Sequence, residues 1–294
     1  MAHLLFLLRS NPEISDRWGY HVRPIHYHEP LPDFRAITEN QTKRRRDYQA
    51  INFNWQEQLR LISDLGAAYR VELEELAQQK GPDRFDFKNG YFSGFDAAVY
   101  YALIRHLKPG RVIEIGSGYS TRIADIALAR NRQQGKPGKL TCIEPYPQPR
   151  LTEANLDIEL IAKPVEEIRL EFFSCLEAND ILFIDSSHTV KFRNDVCYEF
   201  LEILPRLKPG VWVHVHDIFF PHDYPAEWLI EQRLALNEQY LLEAFLSYNT
   251  AFSVSIANHW LSLEHPSEAA HLWEAVTTEA NRVGSASFWM TRQD

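Results

Sequence analysis

The chain has 294 residues, 45% hydrophobic and 24% charged, enough for one large α/β domain with or without a small attachment. Its formal net charge of −9 speaks against general nucleic-acid binding, and the short apolar run in MAHLLFLLRSNP speaks against a membrane span or secretory signal. Cys142, Cys175 and Cys197 are an odd number without C-x-x-C spacing, so they read as reduced thiols of a cytoplasmic protein.

Residues 10–35 are rich in proline, histidine and aromatics and have no clean period. His21, His26 and His28 suggest a zinc site by type, but Pro24, Pro30 and Pro32 favour an irregular extended loop. The run Arg44, Arg45, Arg46 reads as a solvated face. Across residues 54–79, Leu59, Ile62, Leu65, Ala68, Tyr69, Leu73 and Leu76 keep helical spacing, and Gly81-Pro82 closes the run. The expected division is an N-terminal extension, 1–80, irregular and then helical, acting as a cap or homodimer arm, and a catalytic domain, 81–294.

A helix over 94–106 follows Tyr91 and Ser93 and leads into the stretch RVIEIGSGYST at 111–121. Val112, Ile113 and Ile115 form a short buried strand, Gly116 and Gly118 a tight turn, and 122–130 continue as a helix. Thr121 stands where a dinucleotide fingerprint has its third glycine, which argues against NAD, and Glu114 points toward a ligand bearing an ammonium and a sulfonium. A second strand over 140–143 ends in Glu144, 26 positions past Gly118, where a carboxylate suits a ribose diol.

A third strand is expected over 156–162, then Glu166 in a loop and a helix over 168–176. The run DILFID at 180–185 is apolar enough for a central strand, placing Asp185 and His188 at its carboxyl end. A helix over 195–207 and a strand over 211–215 follow, the strand ending in His216 and Asp217, with His214 read as a core histidine. One long amphipathic helix is expected over 228–246, a strand over 251–257 and a last strand over 287–291.

From about residue 90 onward these blocks resemble the class I S-adenosylmethionine (SAM) methyltransferases, and more closely the methyltransferase domain 24 family. The resembling blocks are VIEIGSGYST, CIEP, LFIDSSH, RLKPG, NEQYLLEAFL and SFWM. The resemblance implies a Rossmann-like α/β sheet, mostly parallel, with the last strand antiparallel. It places Gly116, Ser117, Gly118 and Ser120 around the methionine part of SAM, Glu114 near its ammonium, Glu144 on the ribose and Glu166 near the adenine. Tyr91 and Asp185 complete the candidate cofactor contacts. The IDSSH block is also similar to the D-G-S-H block of metal-dependent macrolide-sugar O-methyltransferases, which makes His188 the general base and Asp185 and Asp217 magnesium ligands. This chain has Ser186 in place of that glycine and His216 where an acid is common, so a purely structural or cofactor-contacting role for the aspartates stays open. The implied activity is O-methylation of a small polar acceptor such as a sugar or glycan end. Two alternatives are an NAD-dependent oxidoreductase on the same fold and a SAM-binding protein without turnover.

Overall fold

The computed structural model describes residues 10–81, 84–152, 155–277 and 285–294. The N-terminal apolar run and Pro82 lie outside them. The chain divides into two compact units, one of residues up to Arg44 together with Tyr224–Ala235, the other of Arg45–Asp223 with Leu236–Asp294.

The first unit is mostly irregular, with short helical turns at Pro12–Asp16, Phe34–Ala36, Glu39–Thr42 and Glu227–Glu231. Asp33 caps the second turn by accepting from the Arg35 backbone N–H and guanidinium. His21 pairs with Asp16 at 3.0 Å, and the rings of His26 and His28 lie 5.4 Å apart in the open.

The second unit is built on a seven-stranded sheet: β1 (Arg111–Ile115), β2 (Lys139–Ile143), β3 (Ile158–Ile161), β4 (Ile181–Ile184), β5 (Trp212–Val215), β6 (Phe252–Ala257) and β7 (Phe288–Arg292). Their order is β3-β2-β1-β4-β5-β7-β6, parallel throughout except that β7 runs against both neighbours. Every residue of β4 is buried, as its unbroken apolar run requires of a strand covered on both faces. Because β1 pairs with β2 on one side and β4 on the other, the chain reverses its direction of winding at their carboxyl ends. An open α/β sheet leaves its crevice at such a point.

Helices α1 (Trp55–Gln78), α2 (Gly94–Leu107) and α3 (Tyr119–Gln133) contribute to the core on one face. The other face is covered by α4 (Asp195–Tyr198), α5 (Glu238–Leu246) and α6 (Asn258–Glu264), among others, and α7 (Pro266–Trp273) joins the first layer. The expected boundary near residue 80 does not match the packing, because α1 lies inside the second unit. Ile62, Leu65 and Leu73 are fully buried, and α1 packs on α2 and α7, where Gly66 lets the His271 Cβ approach within what would be 2.7 Å of an added methyl. Arg105 of α2 bonds Glu72 of α1 through Nε at 2.8 Å and Nη2 at 3.0 Å. The apolar face that suggested a dimer arm is therefore spent within the chain.

Three helices also differ from expectation. The segment 168–176 forms a 3₁₀ helix, Leu170–Cys175. After α4 the helix widens to a π turn, Glu199–Ile203, and tightens to a 3₁₀ turn around Pro205, which cannot donate its backbone hydrogen bond. The long helix over 228–246 breaks: residues 232–237 leave the helix, Arg233 adopts φ +56°, and α5 starts afresh at Glu238. The restart frees the first N–H groups of α5 to bond the His188 carbonyl, a tertiary contact that overrides helix propensity.

If α1 is core rather than appendage, Leu65→Ala should lower unfolding stability by ~2–5 kcal/mol, the usual cost of truncating a buried leucine. Urea denaturation measures it, and a loss near zero would mark α1 as a detachable arm.

Candidate active site

The carboxyl ends of β1 to β4 frame a cleft of about 350 Å³ lined by Gly116, Glu144, Glu166, Asp185, Ser187 and others. Four residues singled out in the sequence thus share one wall-to-wall space. Gly116 has φ +75°, and a Cβ there would lie 1.8 Å from the Asp185 carbonyl oxygen, so only glycine lets the β1 turn pass the end of β4. A Cβ on Gly118 would meet nothing within 4 Å, which leaves this part of the turn open to a ligand. Glu144 accepts from the backbone N–H of Ser117 at 3.2 Å and of Tyr146 at 2.8 Å, so its carboxylate is aimed before any ligand arrives. Ser120 is buried in the first turn of α3. Tyr91 is outside the cleft lining, 73% exposed, and stacked on Tyr119 with ring centroids 5.3 Å apart. The Arg150 guanidinium lies 4.7 Å from the Tyr119 ring centre and 5.6 Å from that of Tyr91.

Glu114 departs from the sequence reading. Alternation along β1 sends Ile113 and Ile115 to one core layer and Glu114, with Val112, to the other, where it is fully buried. Tyr100 donates to one carboxylate oxygen at 3.0 Å and Thr121 to the other at 2.6 Å. Thr121 in turn accepts from the Gly118 N–H at 3.0 Å. Glu114 therefore braces the glycine turn from behind and does not face the cleft. Burial pushes its carboxyl up to about 7, against the opposing hydrogen bonds of Thr121 and Tyr100.

Beside the cleft lies a cluster centred on His188. Its Nε2 is 3.2 Å from Asp185 Oδ1 and 3.3 Å from Asp217 Oδ2, and its Nδ1 is 2.9 Å from Glu238 Oε2. His216 Nε2 is 3.6 Å from Asp217 Oδ1. Burial by itself would lower the His188 pKa, but the bonds to Asp185 and Glu238 and the charge of Asp217 outweigh it and hold the ring well above the usual value. Burial raises the Asp217 and Glu238 carboxyls. It would raise Asp185 too, yet His216 and His188 draw that carboxyl below the ordinary range. Glu199, on the π turn after α4, is buried, accepts from Ser186 Oγ at 3.1 Å, and is pushed well up by burial and then by Glu238. The loop between is closed by Ser187, whose N–H and Oγ bond Asp195 at 2.9 and 2.7 Å. His214, as expected, is core: its ring stacks on Phe183 at 3.8 Å and bonds Ser287 at 2.9 Å.

Magnesium prefers about six oxygen ligands in near-ideal octahedral geometry. Here an imidazole nitrogen stands between the two aspartates, the next neighbour of Asp217 is another imidazole, and Glu238 faces the far side of His188. Among the described residues no group of histidine, cysteine and acid side chains is arranged to hold a metal ion. This donor set does not suit magnesium.

Local sequence reading missed Glu238, Glu199 and the bracing pair Tyr100 and Thr121. Glu238 looked like one polar position of an amphipathic helix. The one available signal was the Asn-Glu pair in NEQYLLEAFL, an N-cap type residue followed by an acid where a helix can begin.

A parallel sheet wound outward from β1, with a reversed β7 between β5 and β6, is the class I methyltransferase fold. A family described as a methyltransferase domain matches residues 113–218, and the chain belongs to this family of class I methyltransferases. An uncharacterized protein of Archaeoglobus fulgidus is 31% identical over 168 residues, covering 54% of this chain and 75% of that protein. Among solved structures, the O-methyltransferase TomG from Streptomyces achromogenes, in complex with SAM, aligns at 17% identity and TM-score 0.42, over 67% of this chain and 78% of that one. The O-methyltransferase from Bacillus cereus aligns at 16% identity and TM-score 0.41, over 81% and 90%.

The buried Glu114 has a measurable signature. A carboxyl raised from 4.5 to about 7 holds its proton in the folded state after the unfolded chain has released it. Stability should therefore fall as pH rises through that window, by on the order of 3 kcal/mol, and level off above it. Glu114→Gln should remove this part of the slope in urea unfolding at a series of pH values; an unchanged slope would show that Glu114 ionises normally.

Proposed function

We propose that the protein is a SAM-dependent O-methyltransferase acting on a small polar acceptor, such as a sugar or glycan end. The observation that carries this reading is the meeting, at one switch point, of the Gly116 turn, the aimed carboxylate of Glu144 and the loop bearing Asp185 and His188. The open turn at Gly118 and the cleft volume suit a nucleoside-sized ligand, within the ~300–1,000 Å³ of small-molecule pockets. In this reading Glu144 holds the ribose, Glu166 lies by the base, and Gly116, Ser117, Gly118 and Ser120 shape the methionine end. Glu114 acts through Thr121 rather than by contact, and Tyr91 stands at the rim. SAM supplies a methyl group on a positively charged sulfur, ready for in-line displacement.

The chain's own task is to orient an acceptor hydroxyl and take its proton. His188 is the candidate base, with Asp185 and Asp217 beside Nε2. The surrounding carboxylates favour the protonated ring, which cannot accept a proton, so activity should climb with pH on the alkaline side of the ordinary histidine value. The donor set favours a reaction without magnesium. Among the described residues no helix is long and apolar enough to cross a membrane, and free Cys142, Cys175 and Cys197 support a reducing, cytoplasmic setting. Thr121, committed to Glu114 and the Gly118 N–H, weighs against a dinucleotide turn.

Two measurements test this reading. S-adenosylhomocysteine should bind in calorimetry, and Glu144→Ala should weaken it by ~10–100-fold, the worth of a charge-assisted hydrogen bond. Equal affinity in the variant would remove Glu144 from the ribose. In a screen of hydroxylated acceptors with labelled SAM, His188→Ala should lose ~10²–10⁴-fold in rate with little change in cofactor affinity, and a chelator should leave the wild type unaffected. Wild-type turnover by His188→Ala contradicts the base, and loss of activity with chelator, restored by added magnesium, contradicts the metal-free reading.

A further inference from the structure

Tyr91 is 73% exposed, yet the turn that carries it is fixed. Asn89 Oδ1 accepts from the N–H groups of Tyr91 and Phe92 at 2.8 and 2.9 Å, and Asn89 Nδ2 donates to the Phe92 carbonyl at 2.7 Å. Phe92 is buried, its ring 5.2 Å from that of His216, the neighbour of Asp217. Tyr91 turns outward and stacks on Tyr119, which follows Gly118 directly and opens α3. The two phenol rings are therefore tied to the glycine turn on one side and to the histidine cluster on the other. A cofactor and its acceptor must meet between those two places.

Arg150 joins the pair from the short helix Pro149–Thr152, just beyond Glu144. Its guanidinium sits over both rings, at 4.7 Å from the centre of Tyr119 and 5.6 Å from that of Tyr91. Ring faces hold a cation in place without neutralising it and leave its N–H fork to other partners. Among the described residues Arg150 has neither an acid nor a hydrogen-bond acceptor as partner, so this exposed, positioned fork is unused. The cleft itself carries the opposite charge. Among its described lining residues Glu144, Glu166, Asp185 and Asp195 stand against the single ammonium of Lys191. That lining suits a cofactor with a positive sulfur and repels an anion, so an acidic acceptor needs a cation outside it. Arg150 lies outside it.

We propose that Arg150, Tyr91 and Tyr119 form an acceptor subsite that selects hydroxylated acceptors bearing a carboxylate, the uronate class of sugar. Arg150 takes the carboxylate through its planar fork, which matches that group in shape as well as charge. The exposed phenol ring of Tyr91 takes the apolar C–H face of the sugar ring. The subsite deepens the methyltransferase reading given above and rests on it. Opposite charges then keep the two ligands apart: the cationic cofactor goes to the acidic cleft and the anionic acceptor to the guanidinium at its rim.

The test is a binding measurement on the full-length protein, with and without S-adenosylhomocysteine, and needs no turnover. Calorimetry with D-glucuronate, methyl glucoside and glucose 6-phosphate compares one sugar ring in three charge states. Glucuronate should bind ~10–100-fold tighter than the glucoside, the worth of a charge-assisted hydrogen bond. Arg150→Gln should bring glucuronate to within about 2-fold of the glucoside and leave S-adenosylhomocysteine affinity within the same margin. Tyr91→Ala should weaken both sugars by ~2–10-fold and preserve their ratio. Equal binding of glucuronate and glucoside by the wild type, or a preference that survives Arg150→Gln, overturns the subsite. So does glucuronate that fails to bind. Tighter binding of glucose 6-phosphate than of glucuronate overturns the carboxylate assignment, and wild-type affinities in Tyr91→Ala overturn the ring platform. A loss of S-adenosylhomocysteine affinity in Arg150→Gln puts the guanidinium on the cofactor and overturns its acceptor role. A wild type that shows the Arg150-dependent preference but binds no S-adenosylhomocysteine would remove the methyltransferase reading and leave the acidic-sugar subsite standing.

Discussion

The close approach of the β1 turn to the end of β4 is the constraint on which the site depends. The Asp185 backbone N–H donates to the Ile115 carbonyl at 2.8 Å, continuing the β1–β4 ladder past the last strand residues. Gly116 then passes so near the Asp185 carbonyl that no side chain fits. One contact thus sets the depth of the cleft, the position of Asp185 and the start of the loop that carries His188. Moving either strand end would shift the glycine turn relative to the histidine cluster.

Around that contact the protein buries more ionisable groups than a core normally holds. Glu114, Glu199 and Glu238 are essentially inaccessible, and His214 and His216 lie with them. Each is handled differently. Glu114 is bonded by two hydroxyls and tends to keep its proton near neutrality. His214 is drawn well below its usual value by burial and by His216, which suits a neutral ring stacked between aromatics. Among the described residues, only His188 has carboxylates on both nitrogens. Groups with environments that pull their proton affinities apart are where acid–base roles are to be sought, and this separation singles out His188.

The helical layer around α1 serves the same end by rigidity. Arg105 is buried, binds Glu72 of α1 and, through Asn131, reaches α3, whose first turn follows the glycine motif. A guanidinium removed from water must keep its partners, so the three helices stay in register. Asp96 does likewise at the far side of α2. Its carboxylate accepts from the N–H groups of Ala286 and Ser287, just before β7, at 2.7 and 3.0 Å, and from Asn258 at 2.7 Å. The antiparallel strand is thereby tied to the helix layer by a side chain, which the strand's own ladder could not do.

By itself the sequence determined the sheet and the rim of the cleft. Short apolar runs ending in Gly116, Glu144, Asp185 and Asp217 are local signals, because strand period and turn chemistry act over a few residues. The tertiary structure decided the rest. Which face of β1 receives Glu114 follows from the layer that covers it, and period two alone says only that alternate residues differ. The break in the 228–246 helix follows from the His188 carbonyl waiting at its restart, a partner no periodicity reveals. The recruitment of Glu238 and Glu199 and the burial of the α1 face have the same cause: they depend on groups far apart in the chain that meet only when the sheet has closed around them.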